Sequence, residues 1–274
     1  MNTPLTINNI MRFAERVYPN SEIVSVTGDN PQHRYTYKDA FERSRKLANA
    51  LQSHGVETGD RIGTLAWNDY RHFEIYYTVS CMGSVCHTVN PRLFPEQIEY
   101  IVNHAEDRLI FTDPAFVPVL ETLQDKLTTV EKFVVLTDDA HMPECELKNA
   151  QSYEAFIADS SSSFEWPDIE ENTASALCYT SGTTGNPKGV LYSHRSTVLH
   201  SYAAALPDAM NLSIHECVMP IVPMFHVNAW SMPYSTVMVG AKLVLPGPKM
   251  GDGETLHALV EREQVTVSAA VPTV

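Results

Sequence analysis

A chain of 274 residues is long enough for one large domain or two modest ones, and needs neither disulfides nor metal to hold a core together. With 44% hydrophobic and 19% charged residues it is not a globally disordered chain. The 33 acidic residues against 19 basic ones give a net charge of −14, which argues against non-specific nucleic-acid binding and against docking on anionic membranes, yet leaves room for a local anion site built from backbone N–H groups. The five cysteines, Cys81, Cys86, Cys145, Cys178 and Cys217, form no C-x-x-C pair and read as reduced thiols of a cytoplasmic protein. The N-terminal residues do not read as a signal peptide, and no stretch approaches the ~20 apolar residues that span a bilayer.

In chain order the pattern alternates between helical and extended segments. Thr36-Tyr37-Lys38-Asp39 has the form of a capping box, in which a hydroxyl and the acid three residues on satisfy free N–H groups. Ala40, Phe41, Leu47, Ala48 and Leu51 then share a helical face, and Gly55 is a natural stop. Arg61–Trp67 reads as a strand, Asn68 or Asp69 as the cap of a second helix reaching Met82, and Val85–Val89 as a strand. Pro95 suits the first turn of a third helix through Ile98, Ile101 and Val102. Extended Leu109–Thr112, helical Ala115–Leu123 and extended Phe133–Thr137 follow. Ser160–Ser163 reads as a linker, so the expected units are a flavodoxin-like subdomain over residues 1–163 and the start of a second over 164–274. Beyond it lie extended Ala174–Thr180, helical Ser196–Leu206, extended Val218–Val222 and Lys242–Leu245, helical Thr255–Glu263 and extended Val265–Ala270. The alternation predicts the α/β class: mostly parallel sheets flanked by helices. The sequence stops directly after an apolar strand, where a domain seldom ends, and therefore reads as part of a longer protein.

The strongest chemical signal is Tyr179-Thr180-Ser181-Gly182-Thr183-Thr184-Gly185-Asn186-Pro187-Lys188-Gly189. Glycines let a backbone approach an anion closely, Ser and Thr hydroxyls add donors, and Lys188 adds a full positive charge. Composition alone also fits a flexible surface loop. The loop is not a Walker A sequence: Pro187 stands where the second glycine belongs, and Gly189 rather than Ser or Thr follows the lysine.

The string resembles the phosphate-binding signature of the adenylate-forming enzymes. His87-Thr88-Val89-Asn90-Pro91-Arg92-Leu93, Val222-Pro223-Met224-Phe225-His226-Val227-Asn228-Ala229-Trp230 and Gly240-Ala241-Lys242-Leu243-Val244-Leu245-Pro246-Gly247-Pro248 are similar to segments of the acyl-CoA synthetase branch, nearest to fatty acid–CoA ligases and 3-(methylthio)propionyl-CoA ligases. The resemblance runs from about Thr36 to the last residue. It implies the N-terminal part of a five-layered αβαβα large domain and a two-step reaction. A carboxylic acid and ATP give acyl-adenylate and pyrophosphate; the thiol of coenzyme A then displaces AMP. Thr180, Ser181, Gly182, Thr183, Thr184, Gly185 and Lys188 would hold the β- and γ-phosphates, His226 would stand beside the reacting carboxylate, and Trp230 would gate the acyl tunnel. Thr184 would touch Mg²⁺, whose main ligand is expected beyond Val274, as are the ribose-binding acid and the C-terminal lid domain. A homodimer contact through the N-terminal segment is also implied.

Each assignment has a plainer counterpart. Trp230 sits among apolar residues and could be core; a lone His226 could be structural; Arg92 could meet a phosphate or pair with Glu96. His194 and His200 are wrongly spaced for a zinc pair, and Cys81 and Cys86 read as core residues rather than nucleophiles. Without the missing half the chain alone is expected to be nearly inactive, which keeps a non-catalytic nucleotide-binding role in view. An aryl-CoA ligase or luciferase-like enzyme is a further alternative. A kinase or ATPase would release ADP instead of AMP, and the loop already counts against it.

Overall fold

The computed structural model describes residues 2–180 and 186–271. Along them run α1 (Ile7–Val17), β1 (Glu22–Ser25), β2 (His33–Thr36), α2 (Tyr37–Ser53), β3 (Arg61–Leu65), α3 (Tyr70–Cys81), β4 (Val85–Thr88), α4 (Pro95–Ala105) and β5 (Asp107–Thr112). Then come α5 (Val117–Leu123), β6 (Lys132–Val135), β7 (Gln151–Ser152), α6 (Tyr153–Ile157), β8 (Ala174–Thr180), β9 (Lys188–Ser193) and α7 (His194–Ala205). The last elements are β10 (Cys217–Pro220), α8 (Met232–Val239), β11 (Lys242–Leu245), α9 (Gly253–Glu263) and β12 (Val267–Ala269).

The strands form two sheets, ordered β7-β6-β5-β3-β4-β8-β9 and β12-β10-β11-β1-β2. Both are parallel except at one edge, where β8 pairs antiparallel with β9 and β1 antiparallel with β2. The largest apolar cluster lies between the sheets. It joins Ile23, Val218 and Leu243 of the smaller sheet to Ile62, Phe111 and Val134 of the larger one through α1, α2, α3 and α8. A second cluster packs α4 and α5 on the outer face of the larger sheet, and a third packs α9 on the outer face of the smaller one. The result is five layers, αβαβα.

The capping box at Thr36 forms as its sequence predicts, with Asp39 accepting from the Thr36 N–H at 2.9 Å and Thr36 Oγ1 accepting from the Asp39 N–H at 3.3 Å. The cap of α3 is Asp69, whose carboxylate accepts from the His72 N–H at 2.8 Å. All twelve residues of α3 are buried, because the helix packs against β1 on one side and β4 and β8 on the other and so has no solvent face. Its charges are paired accordingly. Glu74 accepts from Arg43 at 2.8 Å and from the Tyr153 hydroxyl at 2.7 Å, while Arg71 reaches Asp29 at 2.7 Å and Glu154 at 2.9 Å.

The strand expected over Arg61–Trp67 ends at Leu65, since the Trp67 N–H turns to the Asp113 carboxylate at 2.6 Å instead of a neighbouring strand. Seven elements lie outside the sequence reading: α1, β1, β2, β7, α6, β9 and α8. The first two strands are four residues each, and α8 (MPYSTVMV) has too little polar contrast to show a helical period. The sheets do not divide at Ser163. β1 and β2 pair into the sheet of β10–β12, and β8 and β9 pair into the sheet of β3–β7.

Candidate active site

In parallel sheets the carboxyl ends of the strands share one edge, and a crevice opens where consecutive strands leave in opposite directions. Each sheet has such a point. β3 is flanked by β4 and β5, and β10 by β11 and β12. The residues that follow these two central strands are Asn68 and the segment leading to His226.

Asn68 ties the two edges together. Its side chain is fully buried; Nδ2 donates to the carbonyls of Pro220 and Val222, each at 2.9 Å, and Oδ1 accepts from the Met224 N–H at 2.7 Å. The Asn68 carbonyl accepts from the Gly247 N–H at 2.8 Å. Gly247 has φ +56°, and a Cβ there would stand 1.8 Å from the Val26 carbonyl oxygen, so the position admits only glycine. The Tyr76 hydroxyl, from the middle layer, donates to the Met224 carbonyl.

His226 is exposed and opens an unusual turn: Val227, Asn228, Ala229, Trp230 and Ser231 all have φ between 48° and 58°. A left-handed run of side-chain-bearing residues costs roughly 1–2 kcal/mol per residue, so it persists only where its surroundings fix it. Asn228 and Ala229 are buried beneath the turn; Asn228 Oδ1 lies 3.5 Å from the Tyr76 hydroxyl and 3.6 Å from Cys178 Sγ. Cys178 in turn meets Thr88 Oγ1 at 3.0 Å. The turn is thereby keyed to the carboxyl ends of β4 and β8. Trp230 is 41% exposed, a placement unlike that of a core tryptophan.

A cavity of about 360 Å³ opens beside His226, walled also by Asn90, Arg92, Pro223, Phe225 and Met250. The Arg92 guanidinium lies over the Phe225 ring at 5.8 Å and has no carboxylate partner among the described residues, Glu96 included. The lining contains no carboxylate and does not by itself form a magnesium site. Among the described residues, Asp29, Asp138 and His141 come close enough together to share a cation. Asp29 is already paired with Arg71, however; burial alone would raise its pKa, but the guanidinium and further hydrogen bonds hold it at about 2. A larger cavity, about 880 Å³, is an apolar groove between α1, α7 and α8 that holds none of the predicted site residues.

Of the predicted phosphate-binding residues, Ser181, Gly182, Thr183, Thr184 and Gly185 lie outside the described residues, and with them the magnesium contact expected of Thr184. The two ends of that segment are placed. Thr180 closes β8, Lys188 opens β9, the two are register partners, and both are exposed. The segment therefore joins two antiparallel strands. A P-loop would instead lead into a helix, so the geometry agrees with the departure from Walker A already visible in the sequence. Cys81 and Cys86 are fully buried, and burial pushes both thiols well up, in keeping with core roles. Asn68, which joins the two strand edges, was not singled out by the sequence reading. It was visible only as an alternative helix cap, and its partners lie more than 150 positions away.

No helix among the described residues is long and apolar enough to cross a membrane. Comparison with known proteins places these features in a family. The chain is 48% identical over its whole length to a medium-chain-fatty-acid–CoA ligase of Ectopseudomonas oleovorans and 48% identical to a 3-methylmercaptopropionyl-CoA ligase of Ruegeria lacuscaerulensis. It spans 50% and 51% of those two proteins, about half of each. In three dimensions it matches a long-chain-fatty-acid-CoA ligase of Archaeoglobus fulgidus with a TM-score of 0.86 at 22% identity, covering 100% of this chain and 53% of that one, a likeness of fold. The AMP-binding enzyme family matches residues 12–274, and the chain belongs to that family.

Proposed function

We propose that this chain is the acid- and phosphate-binding half of an AMP-forming acyl-CoA ligase. Its substrate is a short- to long-chain fatty acid or 3-methylthiopropionate; ATP converts it to an acyl-adenylate with release of pyrophosphate, and coenzyme A takes up the acyl group. The observation that carries the reading is that His226 and Arg92 line one cavity, while Thr180 lies at the carboxyl end of β8, which runs parallel to β4, the strand that precedes Arg92. An anionic nucleophile approaching a polyphosphate needs that charge neutralised and the partners aligned. Lys188 is exposed and opens β9 opposite Thr180, and its charge would serve the phosphates held by residues 180–185. His226 faces the cavity where a carboxylate would meet the α-phosphate. Trp230, four residues on and 41% exposed, is the residue that would gate an apolar chain. A homodimer joined through the N-terminal segment and a cytoplasmic location complete the reading.

The test is product analysis with propionate, octanoate and 3-(methylthio)propionate, using the intact protein that carries this chain. AMP and pyrophosphate are expected; ADP as the nucleotide product would overturn the proposal. Lys188→Ala should slow pyrophosphate release by ~100-fold while leaving the melting temperature near that of the unaltered protein, because the residue is exposed and supports no packing.

A further inference from the structure

The three hydrogen bonds of the Asn68 side chain all go to the backbone of one segment, and that segment carries His226. We propose that Asn68 is a positioning residue for His226. What His226 does rests on the ligase reading above; where it sits does not.

The match between side chain and segment is chemical. Pro220 and Val222 present carbonyl oxygens and Met224 presents an N–H, so the site needs two donors and one acceptor from a single small group. A primary amide supplies that set. An ionised carboxylate would turn an oxygen toward two carbonyl oxygens, and an apolar side chain would leave three buried backbone groups unpaired.

The mechanical consequence follows from chain order. β10 ends at Pro220, and residues 221–226 belong to no strand. Their placement relative to the larger sheet is set from outside: by Asn68 at Pro220, Val222 and the Met224 N–H, and by Tyr76 at the Met224 carbonyl. His226 lies two residues further on, its N–H donating to the Pro223 carbonyl at 3.1 Å. Asn68 and His226 leave the two central strands of separate sheets, and the amide fixes one relative to the other. A catalytic group misplaced by about 1 Å can lose about 100-fold in rate, so such a fastening matters for chemistry well before it matters for folding.

The experiment compares Asn68→Ala and Asn68→Ser with His226→Ala and with the double variants, in the intact protein. Two readouts are used: the pre-steady-state rate of pyrophosphate release from ATP and octanoate, and, without any substrate, the exchange rate of the Met224 amide together with the His226 imidazole resonances. Asn68→Ala should slow pyrophosphate release by about 10- to 100-fold with the KM for ATP changed less than about twofold. In the His226→Ala background the same change should add little, because the misplaced group is already gone. Met224 amide exchange should accelerate by about 10-fold or more and the His226 resonances should shift. Asn68→Ser, which keeps one donor and one acceptor, should fall between, and it carries the comparison if Asn68→Ala does not fold. Losses that simply multiply in the double variant would overturn the proposal, as would Met224 exchange and His226 resonances that stay as in the unaltered protein. If the unaltered protein releases no pyrophosphate, the ligase reading fails, and the substrate-free measurements still decide whether Asn68 positions His226.

Discussion

The larger sheet takes its seven strands from one stretch, residues 61–193, in which each central strand is followed by a helix that packs beside it. The smaller sheet joins residues 22–36 to residues 217–269, with the whole of the larger sheet falling in the loop between them. Closing such a loop costs chain entropy before any contact rewards it, so the smaller sheet is expected to form after the larger one. The candidate site needs both. Thr180 and Lys188 belong to the local sheet, His226 follows a strand of the non-local one, and Asn68 is one of the bonds between them.

The largest effect should come from the layer the sheets share. Glu74 is fully buried on α3 and receives Arg43 and the Tyr153 hydroxyl. Glu74→Ala leaves the Arg43 guanidinium with Glu154 as its remaining carboxylate and the buried Tyr153 hydroxyl without its acceptor, and should destabilise the fold by about 3–5 kcal/mol. One cooperative urea transition, read by both fluorescence and circular dichroism, is expected for the variant; two separated transitions would mean that the sheets are independent units.

Next in size are matched core truncations. Ile62→Ala in the larger sheet and Leu243→Ala in the smaller, both at fully buried positions, should each cost about 2–5 kcal/mol. Their kinetics should differ. Ile62→Ala is expected to slow folding, whereas Leu243→Ala acts chiefly by speeding unfolding, as stopped-flow chevrons would report. The same division of the loss between the two rates in both variants would abolish the contrast between a sheet that forms early and one that forms late.

The smallest effect concerns Glu263 on α9, which closes the smaller sheet by accepting from Arg34 of β2 at 2.7 Å and Lys242 of β11 at 2.7 Å. Burial would raise its pKa from 4.5, but hydrogen bonds from Lys242, Arg34 and Arg262 outweigh that and hold it at about 2. A carboxyl lowered on folding stabilises above its unfolded pKa, and that contribution is lost as pH falls from about 4.5 toward 2. Glu263→Gln should therefore cost about 1–3 kcal/mol at neutral pH and little near pH 2, measured by thermal melts across that window.

What the sequence discloses follows the same division. The capping box at Thr36, the strand at Ala174–Thr180 and the helix after Asp69 were legible because their signals are local: a cap, an apolar run, a stop. β1 and β2 were not, since four-residue strands gain their meaning only by pairing with partners elsewhere in the chain. In the proposed site, the charge and glycine content around Lys188 raised the expectation of an anion loop. His226 was picked out by resemblance to a family segment, and nothing near Asn68 hints at carbonyls lying more than 150 residues further on. Arg92 was undecided between a phosphate and Glu96; the structure lays its guanidinium on Phe225, with no ion pair to Glu96.

The left-handed turn from Val227 to Ser231 bears on how such a protein can change over time. At positive φ, glycine is relieved of the clash that every other residue suffers, so Ala229→Gly would gain native-state free energy where most substitutions lose it. A stability screen would favour that replacement. The rigid presentation of Trp230 next door would loosen, because glycine also admits the conformations that alanine forbids. At this turn, a gain in robustness and a firmly held side chain therefore pull in opposite directions.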